Sequence, residues 1–139
     1  MVVAAMDVGL KRIGLALSPD GKVALPQPAV LRKNRNQAAR EVSDFLRRWQ
    51  VGVLVAGIPQ EGASREEMAR RVRHFVGLLD FSGEVVYMDE SFSSKEAVDR
   101  MKGAVKIRRD GRLDSTAAQV ILERYLFARS LDSSSSDRK

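Results

Sequence analysis

Met6-Asp7-Val8-Gly9-Leu10-Lys11-Arg12-Ile13-Gly14-Leu15-Ala16 decides how this chain begins to fold. The residues leading into it, Val2 to Met6, are continuously apolar and end at a turn, so they predict a buried strand. One carboxylate, Asp7, closes that strand. A glycine turn carrying two cations, Lys11 and Arg12, follows, and Arg12 to Ser18 predicts a second strand. Core packing has no use for an aspartate at this place. A carboxylate at a strand end beside a tight turn is a handle for a metal ion or a phosphate; the alternative is a simple turn residue before Gly9.

Working outward, Pro19-Asp20-Gly21 signals a turn, and Lys22 to Leu31 predicts a third strand. Pro26 and Pro28 lack the N–H that a ladder needs, which pushes this strand toward a sheet edge. The chain therefore opens as an antiparallel meander. From Asn34 the apolar spacing changes to three and four residues: Ala38, Ala39, Val42, Phe45, Leu46 and Trp49 mark an amphipathic helix capped by Asn34 or Asn36. Val51 to Ala56 predicts a buried strand ending at Gly57-Ile58-Pro59. Ser64 with Glu67 predicts a capping box for a helix carrying Met68, Val72, Phe75, Val76 and Leu79. Glu84 to Met88 predicts the fifth strand. Ser93 with Glu96 predicts a second capping box and a short helix through Met101, and a final helix is expected from about Ser115 to Ser130. Leu131 to Lys139, with four consecutive serines, has nothing to bury and is expected to be a disordered tail behind one domain of residues 1–130. Strand-helix-strand crossovers supply parallel pairs. The expected architecture is α/β: a mixed five-stranded sheet, with an antiparallel three-strand meander and two parallel strands, and helices on both faces.

Composition narrows the chemistry. The 139 residues include 24 basic and 18 acidic ones, for a net charge of +6, which favours a polyanionic partner and nucleic acid first. Cysteine is absent, so thiolate metal sites and disulfides are excluded. The single histidine, His74, excludes zinc sites built on imidazoles. Any metal must sit on oxygens, as magnesium, manganese and calcium do. No apolar run approaches membrane-spanning length, so no membrane partner and a cytoplasmic location are expected.

Three acidic positions fit one crevice. Asp7 ends the first strand, Asp89-Glu90 end the fifth, and Asp114 opens the last helix. Ligands of parallel sheets bind beyond the carboxyl ends of the strands. Three carboxylates gathered there suit two divalent cations about 4 Å apart, which stabilise the attacking and leaving oxygens of a phosphodiester. Each has a plainer reading: Asp7 as a turn residue, Glu90 as a solvated loop residue, and Asp114 as a helix N-cap. Asp89 is the weaker member of its pair. Arg100 to Arg112 holds six basic residues (Arg100, Lys102, Lys106, Arg108, Arg109 and Arg112) against Asp110 alone, and leads directly into Asp114. Such an arm suits a phosphate backbone, with a solvated loop as the alternative. Arg32, Lys33 and Arg35 read as a solvated helix start. Phe92 reads as packing, and Trp49 and His74 as packing or surface residues. Aromatics are too few to form a stacking platform for single strands.

These residues resemble a known family. Asp7 to Ala16 is similar to the opening motif of the YqgF/RuvX family, whose members are described as pre-16S ribosomal RNA nucleases or Holliday junction resolvases. Gly57-Ile58-Pro59, Met88-Asp89-Glu90 with Ser93-Ser94, and Leu113-Asp114-Ser115 with Ala117-Ala118 and Ile121-Leu122 resemble its later motifs in the same order. The resemblance covers about residues 1 to 129. Two departures stand out: Ser91 where the family usually has arginine, and Gln60-Glu61-Gly62 as a loose match to its small polar loop. The resemblance implies an RNase H-like fold. It also implies Asp7, Glu90 and Asp114 as metal-binding catalytic carboxylates.

The expected function is therefore a magnesium- or manganese-dependent endonuclease on structured nucleic acid, either branched DNA or precursor ribosomal RNA. Lys11, Arg12, Lys106, Arg108, Arg109 and Arg112 are the expected backbone contacts, and a homodimer is expected if the substrate is a junction. Two competing classes are a phosphotransferase of the actin and sugar-kinase type, which needs two such domains, and a non-catalytic ribosome-assembly factor using only the basic surface.

Overall fold

A computed structural model describes residues 1–58, 64–89 and 115–137. Five strands form one sheet: β1 (Val3–Val8), β2 (Arg12–Ser18), β3 (Leu25–Leu31), β4 (Val53–Ile58) and β5 (Glu84–Asp89). Three helices are described: α1 (Arg35–Arg48), α2 (Arg65–Gly77) and α3 (Thr116–Asp137). The spatial order is β3-β2-β1-β4-β5. The pairs β1–β2 and β2–β3 are antiparallel, whereas β1–β4 and β4–β5 are parallel. The meander, the two parallel strands and the mixed sheet of five thus appear as expected.

Strand alternation divides the core into two layers. Ala4, Met6 and Val8 of β1 pack with Ile13, Leu15 and Leu17 of β2 against Val42 and Leu46 of α1 and Val72 and Phe75 of α2. Val3 and Ala5 face the other way, with Ala16, Val53 and Val55, onto Ala118, Ile121, Leu122 and Leu126 of α3. Central strands covered on both faces need apolar residues at every position, which is why β1 and β4 read as continuous runs and not alternating ones.

β3 is an edge strand, as its prolines require, and begins at Leu25, later than Lys22. The residues before it form the expected turn: the N–H groups of Lys22 and Val23 donate to Asp20 Oδ1 at 2.8 and 3.1 Å, and Gly21 adopts φ 76°. These two donors, Lys22 first, hold the Asp20 carboxyl below its ordinary range.

The helix starts differ from one another. Asn34 caps α1 in a full capping box, its side chain accepting from Gln37 N and the Gln37 side chain accepting from the cap backbone. Ser64 precedes α2 but makes no capping hydrogen bond. Its φ of −103° and ψ of 15° depart from the extended cap geometry, and Glu67 instead takes a hydrogen bond from Arg71 at 2.8 Å. The expected capping box there does not form. α3 continues helically to Asp137, past Ser130 where the apolar spacing ends. The short helix expected after Ser93 lies outside the described residues, as do Pro59 and the loop after it, Ser91 and Phe92.

Candidate active site at the carboxyl ends of the strands

Asp7 sits one residue deeper in the sheet than the sequence suggests. β1 stays paired with β2 through Asp7↔Gly14 and Val8↔Ile13, while its parallel pairing with β4 stops at Met6↔Ala56. β4 continues beside β5 as far as Ile58↔Asp89. The two central strands therefore part just where Asp7 begins. The chain leaves β1 toward β2 on one side and leaves β4 toward β5 on the other, so this is the sheet's topological switch point, where α/β sheets bind ligands.

Alternation puts Asp7 on the face of Val3 and Ala5, which α3 covers. The residue directly opposite is Gly14, which has no side chain to fill the space beside the carboxylate. Asp7 is half-buried, and among the described residues its carboxylate has no hydrogen-bond or ion-pair partner.

The start of α3 is pinned to the same place. The β2–β3 register shifts between Ile13 and Leu15, and there the Leu15 N–H donates to Ser115 Oγ at 3.1 Å. Bulges of this kind commonly re-aim groups beside active sites. Leu15 is the register partner of Met6, so Ser115 anchors α3 next to the strand position that carries Asp7. Ser115 and Thr116 are fully or nearly fully buried. The Ser115 carbonyl accepts from Gln119 N at 2.9 Å, which makes Ser115 itself the N-cap. Asp114 is the residue before the cap, so its plainer reading as the N-cap loses ground. Sequence reading missed this pin, because a serine inside a helix-start motif gives no sign that its hydroxyl serves a strand.

The turn beyond Asp7 is braced from both sides. Gly9 N–H donates to the Arg12 carbonyl at 2.9 Å, and a Cβ on Gly9 would lie 2.7 Å from that oxygen. Arg32 donates through Nη1 to the Gly9 carbonyl at 2.7 Å and through its backbone N–H to the Lys11 carbonyl at 2.8 Å. Its guanidinium lies 5.5 Å from the centre of the Phe75 ring. Arg32 is thus a brace for the turn and not a solvated helix-start cation. Lys11 and Arg12 are exposed there, on the side of the sheet edge that Asp7 occupies.

Glu90, Asp114, Lys106, Arg108, Arg109 and Arg112 lie outside the described residues, as does the rest of the basic stretch. Among the described residues no three His, Cys, Asp or Glu side chains gather into a metal-holding group. Asp7, Lys11 and Arg12 are the described members of the expected site. No described helix is long and apolar enough to cross a membrane.

This fold, with α1 and α2 on one face of the sheet and α3 on the other, aligns with solved Holliday junction resolvases. T. thermophilus RuvC in complex with a Holliday junction substrate aligns with a TM-score of 0.59 at 19% identity, covering 94% of this chain and 96% of that one. The fowlpox virus Holliday junction resolvase aligns with a TM-score of 0.54 at 12% identity, covering 92% and 99%. The fold is RNase H-like. The chain belongs to the RuvX family, described as Holliday junction resolvase, whose family model matches residues 1–128. These are nucleases, enzymes that hydrolyse phosphodiester bonds. A relative from a Sulfurovum species is 53% identical over 126 residues, which is 91% of this chain and 98% of the relative. One from Helicobacter pylori is 47% identical over 129 residues, 89% and 94% of the two chains. Both bear the name "Putative pre-16S rRNA nuclease".

Proposed function

We propose that this chain is a divalent-metal-dependent endonuclease of structured nucleic acid, with Asp7, Glu90 and Asp114 as the carboxylates that hold the metal. The observation that carries this reading is the Ser115–Leu15 hydrogen bond, which ties the residue after Asp114 to the strand position beside Asp7. The strand directions support it further. β1 and β5 are each parallel to β4, so the ends that carry Asp7 and Asp89-Glu90 share one edge of the sheet. Val86 and Met88, four and two residues before Glu90 in the sequence, pack on the α3 side with Val3 and Ala5.

The donors present fit a hard cation. Asp7 offers a half-buried carboxylate with no partner among the described residues, and the chain has no thiolate to draw a softer metal. His74 is on α2, across the sheet from Asp7. Asp7, nearest the switch point, would hold magnesium or manganese together with Glu90 and Asp114. Bound there, the ions would supply charge stabilisation at the scissile phosphate and acidify the attacking water. Lys11 and Arg12 contact the backbone from the exposed turn, and Lys106, Arg108, Arg109 and Arg112 extend that contact. Water bonds to phosphorus as the P–O3′ bond breaks, leaving a 5′-phosphate and a 3′-hydroxyl.

Two substrates fit this chemistry. The family description points to branched DNA, and the names of relatives near 50% identity point to precursor 16S ribosomal RNA. Junction cleavage needs two active sites and predicts a two-fold dimer, whereas RNA trimming does not. A cytoplasmic location is consistent with either substrate. Purified protein offered a four-way junction and a precursor ribosomal RNA side by side, with manganese or magnesium, should cut at least one of them. Chelation should abolish the cut. Binding without metal-dependent cleavage of either would identify a non-catalytic assembly factor instead.

A further inference from the structure

Across the sheet from Asp7 lies an open groove of about 580 Å³, lined by Leu10, Arg32, Arg35, Arg70, Arg71 and His74. Three parts of the chain build it: the β1–β2 turn, the segment from β3 into α1, and the exposed side of α2. β3 runs parallel to β1, and α1 and α2 both begin beyond the carboxyl ends of strands, so the groove opens on the same edge of the sheet as Asp7. The two lie on opposite faces of the sheet at that edge, where the β1–β2 turn also lies.

The charges in the groove are only partly balanced. Glu67 is its one lining acid and pairs with Arg71 at 2.8 Å. Arg32 is committed to the Gly9 carbonyl and the Phe75 ring. Arg35 contacts His74 Nε2 at 3.1 Å. Because a guanidinium only donates, that nitrogen accepts, and the contact positions Arg35 without cancelling its charge. Arg70 has no ion-pair partner among the described residues. Arg35 also occupies the first turn of α1, where the helix dipole disfavours a cation, and that turn holds no acid to compensate. Neither helix stability nor local pairing accounts for these arginines. An anion between them would.

We propose that this groove grips the sugar-phosphate backbone of a double-helical arm of the substrate, away from the scissile phosphate, so that the nucleic acid straddles the β1–β2 turn. The proposal rests on the nuclease reading only in assigning the arm to the same substrate. A duplex fits better than unpaired bases. Of the groove's two rings, Phe75 is buried beneath Arg32 and the His74 imidazole is held by Arg35, and neither belongs to a row of stacking aromatics. Guanidinium groups spread over two chain segments, the one from β3 into α1 and α2, suit successive phosphates.

The test is equilibrium binding in chelator, where no cleavage occurs. The probes are a four-way DNA junction and a structured precursor RNA, each measured over a series of salt concentrations. Replacing both Arg35 and Arg70 with glutamine should weaken binding of at least one probe about tenfold or more. It should also flatten the log–log salt slope by about two for duplex DNA, or somewhat less for RNA, since each lost phosphate contact removes roughly 0.7–0.9. Which probe responds identifies the arm. The Arg35→Lys and Arg70→Lys pair should restore most of the slope, which a merely structural role would not produce. Thermal melts matching the parent confirm folding. Unchanged affinity and slope for both probes would overturn the proposal. Metal-dependent cleavage by the parent is measured separately, so failure of the nuclease reading would be told apart from failure of the groove.

Discussion

Asp7 gains its meaning from three small residues around it. Gly14 opposite leaves room for a ligand, Gly9 lets the turn close, and Ser115 fastens α3 beside the strand. Ser115 and Gly9 each make a separate prediction. Ser115→Ala leaves the buried Leu15 N–H without its acceptor and should cost about 1–3 kcal/mol in urea denaturation. It should also slow cleavage, because Asp114 loses its adjacent anchor. Gly9→Ala drives a Cβ into the Arg12 carbonyl, so the turn must open. It should lower stability by about 1–3 kcal/mol, and it should weaken substrate binding by displacing Lys11 and Arg12. Residue type and motif order made Asp7 legible in the sequence. Ser115 and Arg32 were not, because their work depends on a bulge and a braced turn that no local spacing records.

At the scale of elements, the helix starts show how far a motif can be trusted. Asn34-x-x-Gln37 and Ser64-x-x-Glu67 look alike as sequence, yet only the first closes its capping box. The second fails because Glu67 is engaged with Arg71 and Ser64 departs from the extended geometry a cap requires. Asn34→Ala should therefore destabilise the protein by about 1 kcal/mol, while Ser64→Ala should stay within about 0.5 kcal/mol, both read from denaturation midpoints. The buried strands β1 and β4 were legible because two-sided burial demands unbroken apolar runs. The ends of elements were less so: pairing with β2 carries β1 on to Val8, and helical geometry carries α3 past its last periodic apolar residue. Leu122, fully buried against β1 and β4, should cost about 2–5 kcal/mol when cut to alanine. That loss would establish α3 as part of the core and not an appendage.

Across the whole molecule, the sheet order brings the parts together. A meander on one side of β1 and two parallel strands on the other place the switch point at Asp7. They also put the arginine groove and Asp7 on one edge, on opposite faces of the sheet. Element order in the sequence was enough to predict the mixed sheet. It was not enough to predict the groove, which joins Arg35 of α1 to Arg70 and Arg71 of α2 through tertiary packing alone. The central claim is that Asp7 is a metal-holding catalytic carboxylate, and Asp7→Asn tests it most directly, since the change keeps the shape and removes the charge. With manganese or magnesium and whichever substrate the parent cuts, cleavage should fall by roughly a hundredfold or more, while substrate binding in chelator stays equal or tightens. Cleavage by Asp7→Asn at the parental rate would contradict the account.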